Sequence, residues 1–492
     1  MKFKGLLSVS LTLCLLVAGC SFGGNNEQAF DTEETTALKV MYYDEQSFFR
    51  EYGNLFSMKY PNVEIEIISN QSIYSQEDKD PEEAYLELIE QEKPDVIFSY
   101  SDQYKNLIQE GMLQELDPLV ERDEYSLESY HQGVLSYIKD MGDGRLFGLS
   151  PSFYSDAVYY NKDLFDTYGV EYPQDGMTWD ELFQLAQRFP TDGSDADRIY
   201  GLYLEQLEYG GLMSLIIQIG STENLSFLDV DNQKVTLNTP SWKDMFDKAL
   251  QVYRSGALYK APEQQGEGAM DYTSYIQSNA FLSGRAALTI NGYYYVNQLE
   301  EMVQYGGEEL EEFEWDIVSA PVNSQDLQSS SGVSISEIFS VNSQAENPDA
   351  AWELIKFING EEIAKVLSRS SYNLLTRSGF TEEENGKNMN AFYQVNPSNV
   401  SMYEGYENLP EMFYPEFQSI MEEETQAIVN DDKTIDEGLL SMETRSQEAL
   451  QRALDAEDSK NSGVAGEAAN DPSDGAADSS SAGSESTEAE TE

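Results

Sequence analysis

The 492-residue sequence has few of the side chains on which most catalytic and nucleic-acid-binding sites depend. It contains one histidine, His131, so a serine triad, a multi-histidine zinc site and a facial metal triad lack the imidazoles that they need. Only 29 lysines and arginines accompany 90 aspartates and glutamates, and the net charge is −61. This balance argues against a nucleic-acid partner, because phosphate binding needs clustered positive charge.

The two cysteines both lie near the N-terminus, inside or at the end of a targeting segment. Two lysines precede an apolar run from Leu6 to Ala18 that is too short to span a bilayer. The run closes with Val17-Ala18-Gly19-Cys20, which resembles a bacterial lipoprotein signal, in which the cysteine thiol is acylated. We therefore expect a signal peptide over 1–19, a palmitate-bearing lipid on Cys20, and an exported protein anchored on the outer face of the cell membrane. The alternative is an ordinary secreted protein with a stray cysteine.

Both ends of the mature chain have the composition of unstructured segments. Residues 20–36 are polar and contain glycine, which is typical of a flexible tether. Residues 455–492 contain 11 acidic residues, one lysine and no aromatic residue. Such a segment cannot bury enough apolar surface to offset chain entropy, so the sequence predicts a disordered acidic tail.

Between these ends, short apolar segments alternate with amphipathic ones. Leu38–Tyr43, Val63–Ile68 and Pro94–Ser99 are predicted strands, and helical periodicity separates them, as in Phe48–Tyr60. This order predicts an α/β fold with mostly parallel sheets flanked by helices. Ligands of such sheets bind beyond the carboxyl ends of the strands. The residues that follow the first and third of these strands are Tyr43, Asp44, Glu45, Tyr100, Ser101 and Asp102.

A set of ordered landmarks between residues 38 and 454 resembles the family 1 extracellular solute-binding proteins of bacterial ABC importers, the maltose-binding-protein-like group. Each landmark is weak alone, but their order makes chance similarity improbable. The landmarks are Pro94–Phe98, Gly111–Leu113, Gly144–Pro151, Tyr160–Phe165, Thr178–Leu182, Gly284–Gly292, Gly332–Asn342, Ala350–Trp352 and Thr434–Glu437.

The resemblance implies a type II periplasmic-binding-protein-like fold of two lobes with the ligand in the cleft between them. Lobe 1 would comprise residues 37–149 and 315–368, and lobe 2 residues 150–314 and 369–454. Crossings near Leu149–Pro151 and Phe313–Trp315 would form part of a hinge. The expected partners are a small solute, taken to be a sugar or oligosaccharide, and the membrane permease of an ABC importer. We also expect a monomer without cofactor or metal.

The resemblance and the strand-end argument together give the predicted ligand contacts. Asp44, Glu45 and Asp102 would accept hydrogen bonds from hydroxyl groups, and Tyr294 would stack on a sugar ring. At Tyr154 and Tyr294 the sequence departs from the maltose binder, which has an acidic residue and a tryptophan there. The full predicted set is Tyr43, Asp44, Glu45, Tyr100, Asp102, Tyr154, Tyr209, Tyr293 and Tyr294.

Other interpretations remain open at this point. Asp44 or Asp102 could cap a helix, and the tyrosine run at 293–295 could pack on a strand face. A carboxylate-based secreted glycosidase needs only two acidic residues and so survives the composition. A receptor for cationic ligands, such as polyamines or basic peptides, would suit the high negative charge.

Overall fold

The computed structural model describes residues 35–73, 80–193, 198–260, 271–305, 311–335, 337–369, 374–380, 386–398, 400–402 and 405–468. The chain divides into two compact units. The first unit comprises Met1–Thr178 and Met270–Asn399, and the second comprises Trp179–Ala269 and Val400–Glu492. The signal segment, Cys20 and most of the predicted tether lie outside the described residues, although Thr36, placed at the end of the tether, already belongs to the first strand.

The strands are short and occur along most of the chain. In chain order they are β1 (Thr36–Tyr42), β2 (Val63–Ser69), β3 (Val96–Ser99), β4 (Gly148–Leu149), β5 (Ser152–Asn161), β6 (Tyr200–Tyr203), β7 (Leu228–Asp229), β8 (Lys234–Val235), β9 (Ala286–Gly292), β10 (Trp315–Ser319), β11 (Ser329–Ser330), β12 (Val333–Ser334), β13 (Ile338–Val341), β14 (Leu374–Leu375) and β15 (Asn396–Pro397).

Helices alternate with these strands. They are α1 (Glu45–Phe48), α2 (Asn54–Lys59), α3 (Pro81–Glu92), α4 (Ser101–Gln109), α5 (Asp117–Arg122), α6 (Gln132–Met141), α7 (Lys162–Tyr168), α8 (Trp179–Ala186), α9 (Gln206–Thr222), α10 (Pro240–Ser255), α11 (Tyr272–Ser278), α12 (Tyr294–Tyr305), α13 (Pro348–Ile358), α14 (Glu361–Leu367), α15 (Phe413–Val429) and α16 (Ile435–Ala468). A π-helical turn, Phe49–Gly53, joins α1 to α2.

The first unit contains a five-stranded sheet in the order β2-β1-β3-β13-β4. β1 runs parallel to β2 and β3, so that Val40 pairs with Ile67 on one side and Val96 on the other. β13 runs antiparallel to β3 and β4. The apolar strands fill the core, where Val40, Val96 and Ile97 are fully buried. The carboxyl ends of β1 and β3 therefore meet at one edge of this sheet.

A second sheet in the first unit is built around the ten-residue strand β5. β9 and β10 flank β5, and β12 and β14 pair with its first half. All four of these pairings are antiparallel. The mixed α/β fold class is confirmed, but the expectation of a mostly parallel second sheet is wrong. Parallel pairing of consecutive strands needs a crossover connection between them. In this sheet the long strand β5 instead pairs with strands from distant parts of the chain.

The chain passes between the two sheets at places that the sequence predicts only in part. It leaves the first sheet after β4 and enters the second at β5, through Ser150 and Pro151, as expected. The crossing expected at Phe313–Trp315 is wrong, because β10 pairs with β5 and so belongs to the second sheet. The chain returns to the first sheet between β12 and β13. Sheet membership depends on long-range pairing, which a local strand pattern does not encode.

The second unit is mainly helical. Helix α10 begins where the Thr239 hydroxyl accepts a hydrogen bond from Trp242 N at 3.4 Å, and it ends at Gly256, which adopts a left-handed conformation. Helices α15 and α16 pack against each other around the carboxylate of Glu424, whose side chain is 4% exposed. It accepts hydrogen bonds from Lys433, Ser441 and Arg445.

Helix α16 corrects the predicted boundary of the acidic tail. The tail was expected to begin at residue 455, but the helix continues to Ala468. Propagation of a helix already anchored by packing costs little, and alanine and glutamate in this stretch favour it. Residues 469–492 lie outside the described part of the chain. Among the described residues, no helix combines the length and the apolar character that a membrane span requires.

Candidate functional site

The carboxyl end of β1 presents Tyr43, Asp44 and Glu45 as predicted. The ring of Tyr43 is 41% exposed, and its hydroxyl accepts a hydrogen bond from Gln71 Nε2 at 3.3 Å. Asp44 caps helix α1, where Oδ1 accepts from Ser47 N and Oδ2 from Ser47 Oγ, both at 2.8 Å. These bonds lower the pKa of Asp44. Asp44 thus has the capping role given as its alternative, and Glu45 is exposed in the first turn.

The carboxyl end of β3 presents Tyr100 and Asp102. Tyr100 occupies the N-cap position of α4, and its backbone N donates to Gln103 Oε1 at 3.2 Å. Its ring is 40% exposed and lies edge-on to Phe98, with centroids 5.4 Å apart. Asp102 is exposed in the first turn of α4, so the capping role suggested for it is wrong.

In the second sheet, Tyr154, Asp156 and Tyr294 form a compact group. Tyr154 and Asp156 share one face of β5, since side chains two residues apart in a strand point the same way. The Tyr154 hydroxyl donates to Asp156 Oδ1 at 2.7 Å. Burial, then Asp156 and finally Tyr294 raise the pKa of Tyr154, so Tyr294 lies near this pair. The Tyr294 hydroxyl lies 3.1 Å from Asn291 Oδ1, to which it donates.

Two glycines allow this group to form. A Cβ atom on Gly292 would lie 2.6–2.8 Å from the Tyr154 ring and hydroxyl, and a Cβ on Gly332 would lie 3.0 Å from Asp156 Oδ2. Gly332 O also accepts a hydrogen bond from Asp156 N at 2.8 Å. The absence of side chains at these two positions leaves room for Tyr154 and Asp156.

The first sheet carries a second carboxyl group enclosed by tyrosines, Glu337. Tyr52 donates a hydrogen bond to Glu337 Oε2 at 2.9 Å, and Tyr42 donates to Glu51 Oε2 at 3.0 Å close by. Burial raises the pKa of Glu337 to about 7, although the hydrogen bond from Tyr52 lowers it in part. Burial likewise raises the pKa of Asp156 to about 6, with the Tyr154 hydrogen bond opposing it.

The segment that follows β12 contacts both sheets of the first unit. Ser334 pairs with Tyr154, while the hydroxyl of Ser101 donates to Ile335 O at 2.8 Å. Paired residues in an antiparallel ladder lie about 5 Å apart, and consecutive Cα atoms about 3.8 Å. Tyr154 and the start of α4 therefore flank the same short segment, and Glu337 follows it.

Two further predicted ligand contacts, Tyr293 and Tyr209, are not part of the group formed by Tyr154, Asp156 and Tyr294. Tyr293 is half-buried and lies edge-on to Phe392, with centroids 5.7 Å apart, while Tyr295 is fully buried. Packing on a strand face, the alternative given for this tyrosine run, is wrong, because β9 ends at Gly292 and Tyr295 is buried in helix α12. Tyr209 belongs to the second unit, where it is 84% exposed on α9 beside Gly211, whose φ is +54°.

The sequence analysis missed Asp156 and Glu337. Asp156 could have been found, because it follows Tyr154 at the two-residue spacing of a strand face. Glu337 had no local signal, since its tyrosine partners lie about 290 residues earlier in the chain. In the described residues, no group of three or more histidine, cysteine or acidic side chains is arranged to hold a metal ion.

The family model for bacterial extracellular solute-binding proteins matches residues 42–365. The chain belongs to this family. Members of this family are binding proteins rather than enzymes, and so is the sugar-binding protein MalE, whose solved structure is similar to this chain.

The fold is also that of solved solute-binding proteins. A sugar transporter from Rhizobium etli in an open conformation has a TM-score of 0.57 at 19% identity, over 84% of this chain and 99% of that chain. The sugar-binding protein MalE from Xanthomonas citri has a TM-score of 0.58 at 16% identity, over 85% of this chain and 98% of that one. These likenesses establish the type II fold.

Curated relatives match over shorter stretches. A binding protein of Brucella abortus is 26% identical over 219 residues, which are 44% of this chain and 47% of the relative. The sn-glycerol-3-phosphate-binding periplasmic protein UgpB of Agrobacterium fabrum is 24% identical over 136 residues, 27% of this chain and 30% of the relative. The chain thus spans less than half the length of these curated relatives.

Proposed function

We propose that this protein is the substrate-binding lipoprotein of an ABC importer and that it captures a sugar or oligosaccharide. The observation that carries the proposal is the group of tyrosines and carboxyl groups on both sides of the segment between β12 and β13. Membership of the solute-binding family and the sugar-binding proteins among the solved structures of the same fold support it.

The residue types suit a saccharide. A pyranose ring has apolar C–H faces that pack on aromatic rings, and Tyr100, Tyr154 and Tyr294 each expose 37–40% of their surface. Sugar hydroxyls need oriented acceptors, and ionised Asp156 accepts such bonds more strongly than a neutral group would. Tyr209 and Glu45, both exposed, remain predicted contacts.

The proposed mechanism is capture without covalent change. A solute that touches groups from both sheets stabilises a closed arrangement by its difference in affinity for the closed and open states. Ser150–Pro151 and the segment between Ile335 and Ile338 are the connections about which the sheets would move. The closed, loaded protein would then deliver its solute to the membrane permease.

The sugar function is tested by isothermal titration of the mature protein with neutral oligosaccharides such as maltotriose and N,N′,N″-triacetylchitotriose. Saturable binding of at least one, with no change in the sugar on chromatography, is the expected result. Release of shorter sugars would instead favour a carboxylate-based glycosidase. If no saccharide of any kind binds, the proposed function is wrong.

The lipid anchor is tested separately. Cells that express the full chain and are fed radiolabelled palmitate should yield a labelled protein in the membrane fraction. The Cys20→Ser variant should carry no label, whereas Cys14→Ser, which changes the cysteine inside the signal, should retain it. Equal labelling of the wild-type protein and Cys20→Ser would contradict acylation at Cys20.

A further inference from the structure

The single histidine of the chain, His131, is buried where the chain passes from the first sheet to the second. Its side chain packs against the rings of Phe153 and Tyr393, whose centroids lie 5.0 and 5.7 Å from that of the imidazole. Helix α6, which begins directly after His131, contacts β4 of the first sheet, whereas Phe153 belongs to β5 of the second. The imidazole therefore lies between elements of both sheets.

Both ring nitrogens of His131 are hydrogen-bonded. Nδ1 accepts from Val134 N at 3.2 Å and so caps the first turn of α6, and Nε2 is bonded to Tyr393 O at 3.1 Å. A backbone N–H only donates and a carbonyl only accepts, so these two partners require the neutral imidazole with its proton on Nε2. Protonation would place a second N–H on Nδ1, opposite the N–H of Val134, and the cap would be lost.

The backbone of His131 joins this cap to the connection between the sheets. His131 N donates to Thr376 O at 2.7 Å. Thr376 in turn donates through its backbone N to Pro151 O at 3.0 Å and through its hydroxyl to Ser150 O at 2.5 Å. Strand β14, directly before Thr376, pairs with the start of β5. A rearrangement of the first turn of α6 would therefore act on the segment that holds Ser150 and Pro151.

The neighbouring segments offer a charged imidazole no compensating anion. Among the described residues, no carboxylate forms a hydrogen bond or an ion pair with His131. The titratable groups of the adjoining segments are the phenols of Tyr130 and Tyr393, the guanidinium of Arg377 and the exposed carboxylate of Glu128. Burial lowers the pKa of His131, although the hydrogen bond to Tyr393 O opposes this in part.

The titratable residues of β5 and α6 face elsewhere or lie further along their elements. On β5, Tyr154 and Asp156 share the face opposite to that of Phe153. On α6, Tyr137 and Lys139 lie beyond the capped turn. Protonation of the imidazole thus costs the cap without a new ion pair in return.

We propose that His131 is a pH-sensitive switch at the connection between the two sheets. The neutral imidazole holds the first turn of α6, Phe153 and the segment around Thr376 together. The protonated imidazole releases them and loosens the connection at Ser150–Pro151. This inference goes beyond the proposed sugar function and does not depend on it.

The first test observes the imidazole directly. Because the chain has one histidine, the wild-type protein labelled with ¹⁵N-histidine and purified without a histidine tag gives the NMR signals of one ring. At pH 7.5 we expect the neutral ring with its proton on Nε2, and protonation as the pH falls to 4.5. A proton on Nδ1 at pH 7.5, or a ring that stays neutral throughout, would overturn the proposal.

The second test follows the connection by hydrogen exchange with mass spectrometry, corrected for the intrinsic exchange rate. Between pH 7.5 and pH 4.5, residues 132–135, 150–153 and 374–377 should lose protection by about tenfold or more. Peptides of α10, in the second unit, should keep their protection. Loss of protection that does not follow the titration of the imidazole would contradict the switch.

His131→Asn is the matched variant, because asparagine caps a helix as an acceptor and does not titrate. Its protection at 132–135, 150–153 and 374–377 should be the same at both pH values. Asp156 and Glu337 also titrate in this range, but both proteins contain them. Equal losses in the wild-type protein and in His131→Asn would assign the effect to such groups and overturn the proposal. If His131→Asn does not fold, the two wild-type measurements decide.

Discussion

The hydroxyl of Tyr154 lies 2.7 Å from Oδ1 of Asp156, and the backbone of Gly292 leaves the space in which the Tyr154 ring sits. A methyl group at residue 292 would overlap the ring at 2.6–2.8 Å and displace it. We expect Gly292→Ala to weaken sugar binding about tenfold or more while the protein stays folded, because the atoms displaced are the outer end of one side chain. Calorimetry and circular dichroism measure the two effects. Unchanged affinity would exclude Tyr154 from the site.

Asp156 should make stability depend on pH in a defined direction. Its pKa is raised from 3.8 to about 6 in the folded protein, so the folded state favours the protonated form. The associated stabilisation is fully present below about pH 4 and is lost as the pH rises through about 6. The free energy of unfolding of Asp156→Asn, relative to wild type, should therefore rise by on the order of 1 kcal/mol between pH 4 and pH 7.5.

Urea unfolding of both proteins across this pH range measures the difference. A constant difference between them would mean that Asp156 has the same pKa in the folded and unfolded states.

Tyr294 is the candidate for stacking on the sugar. Its ring is 37% exposed, and its hydroxyl donates a hydrogen bond to Asn291 Oδ1 at 3.1 Å. We expect Tyr294→Ala to weaken binding by about 1–3 kcal/mol with little loss of stability. Tyr168→Ala, which removes a similarly exposed ring from α7, should bind as wild type does. Equal effects of both substitutions would remove Tyr294 from the site.

Arg377 should be important for stability rather than for ligand contact. It is 5% exposed, and its guanidinium donates to Asn359 O at 2.6 Å and to Tyr125 Oη at 2.8 Å. Arg377→Met would remove these charge-assisted hydrogen bonds, although Asn359 O keeps those from Tyr125 and Tyr130, and should lower the free energy of unfolding by about 2–4 kcal/mol. Arg145→Met, at a half-exposed side chain, should change it by less than about 0.5 kcal/mol. Chemical denaturation distinguishes the two.

The contribution of Glu424 to stability should change with pH in the direction opposite to that of Asp156. Burial opposes its ionisation, but hydrogen bonds from Lys433, Ser441 and Arg445 outweigh burial and lower its pKa below 4.5. Its stabilisation is present above the unfolded value and is lost as the pH falls through the folded one. Glu424→Gln should therefore cost about 1–3 kcal/mol at pH 7 and progressively less below about pH 4.5. A cost that does not change with pH would contradict the charge-based account.

Local patterns predicted the first sheet well and the second sheet poorly. The strands β1, β2 and β3 are separated by helices in sequence, so their parallel arrangement follows from local order. The crossing at Ser150–Pro151 was also predicted. The second sheet depends on β5 pairing with strands that lie up to about 220 residues away, and no local pattern specifies such partners.

The candidate site likewise contains residues that local patterns predicted and residues that only long-range contacts bring into place. Strand-end reasoning predicted Tyr43, Asp44, Tyr100 and Asp102 in sequence, and the family resemblance added Tyr154 and Tyr294. The capping role of Asp44 was left open, because a carboxylate after a strand can serve either a helix or a ligand. The proximity of Glu337 to Tyr52 was not predictable.

The sequence by itself determined the α/β class, the resemblance to solute-binding proteins, and the scarcity of groups for metal or imidazole chemistry, because these follow from composition and short-range order. The tertiary structure decided which carboxyl groups are enclosed by tyrosines and left without a cation. Burial and pairing of a charge depend on residues far apart in the chain, and these meet only when the sheets have formed.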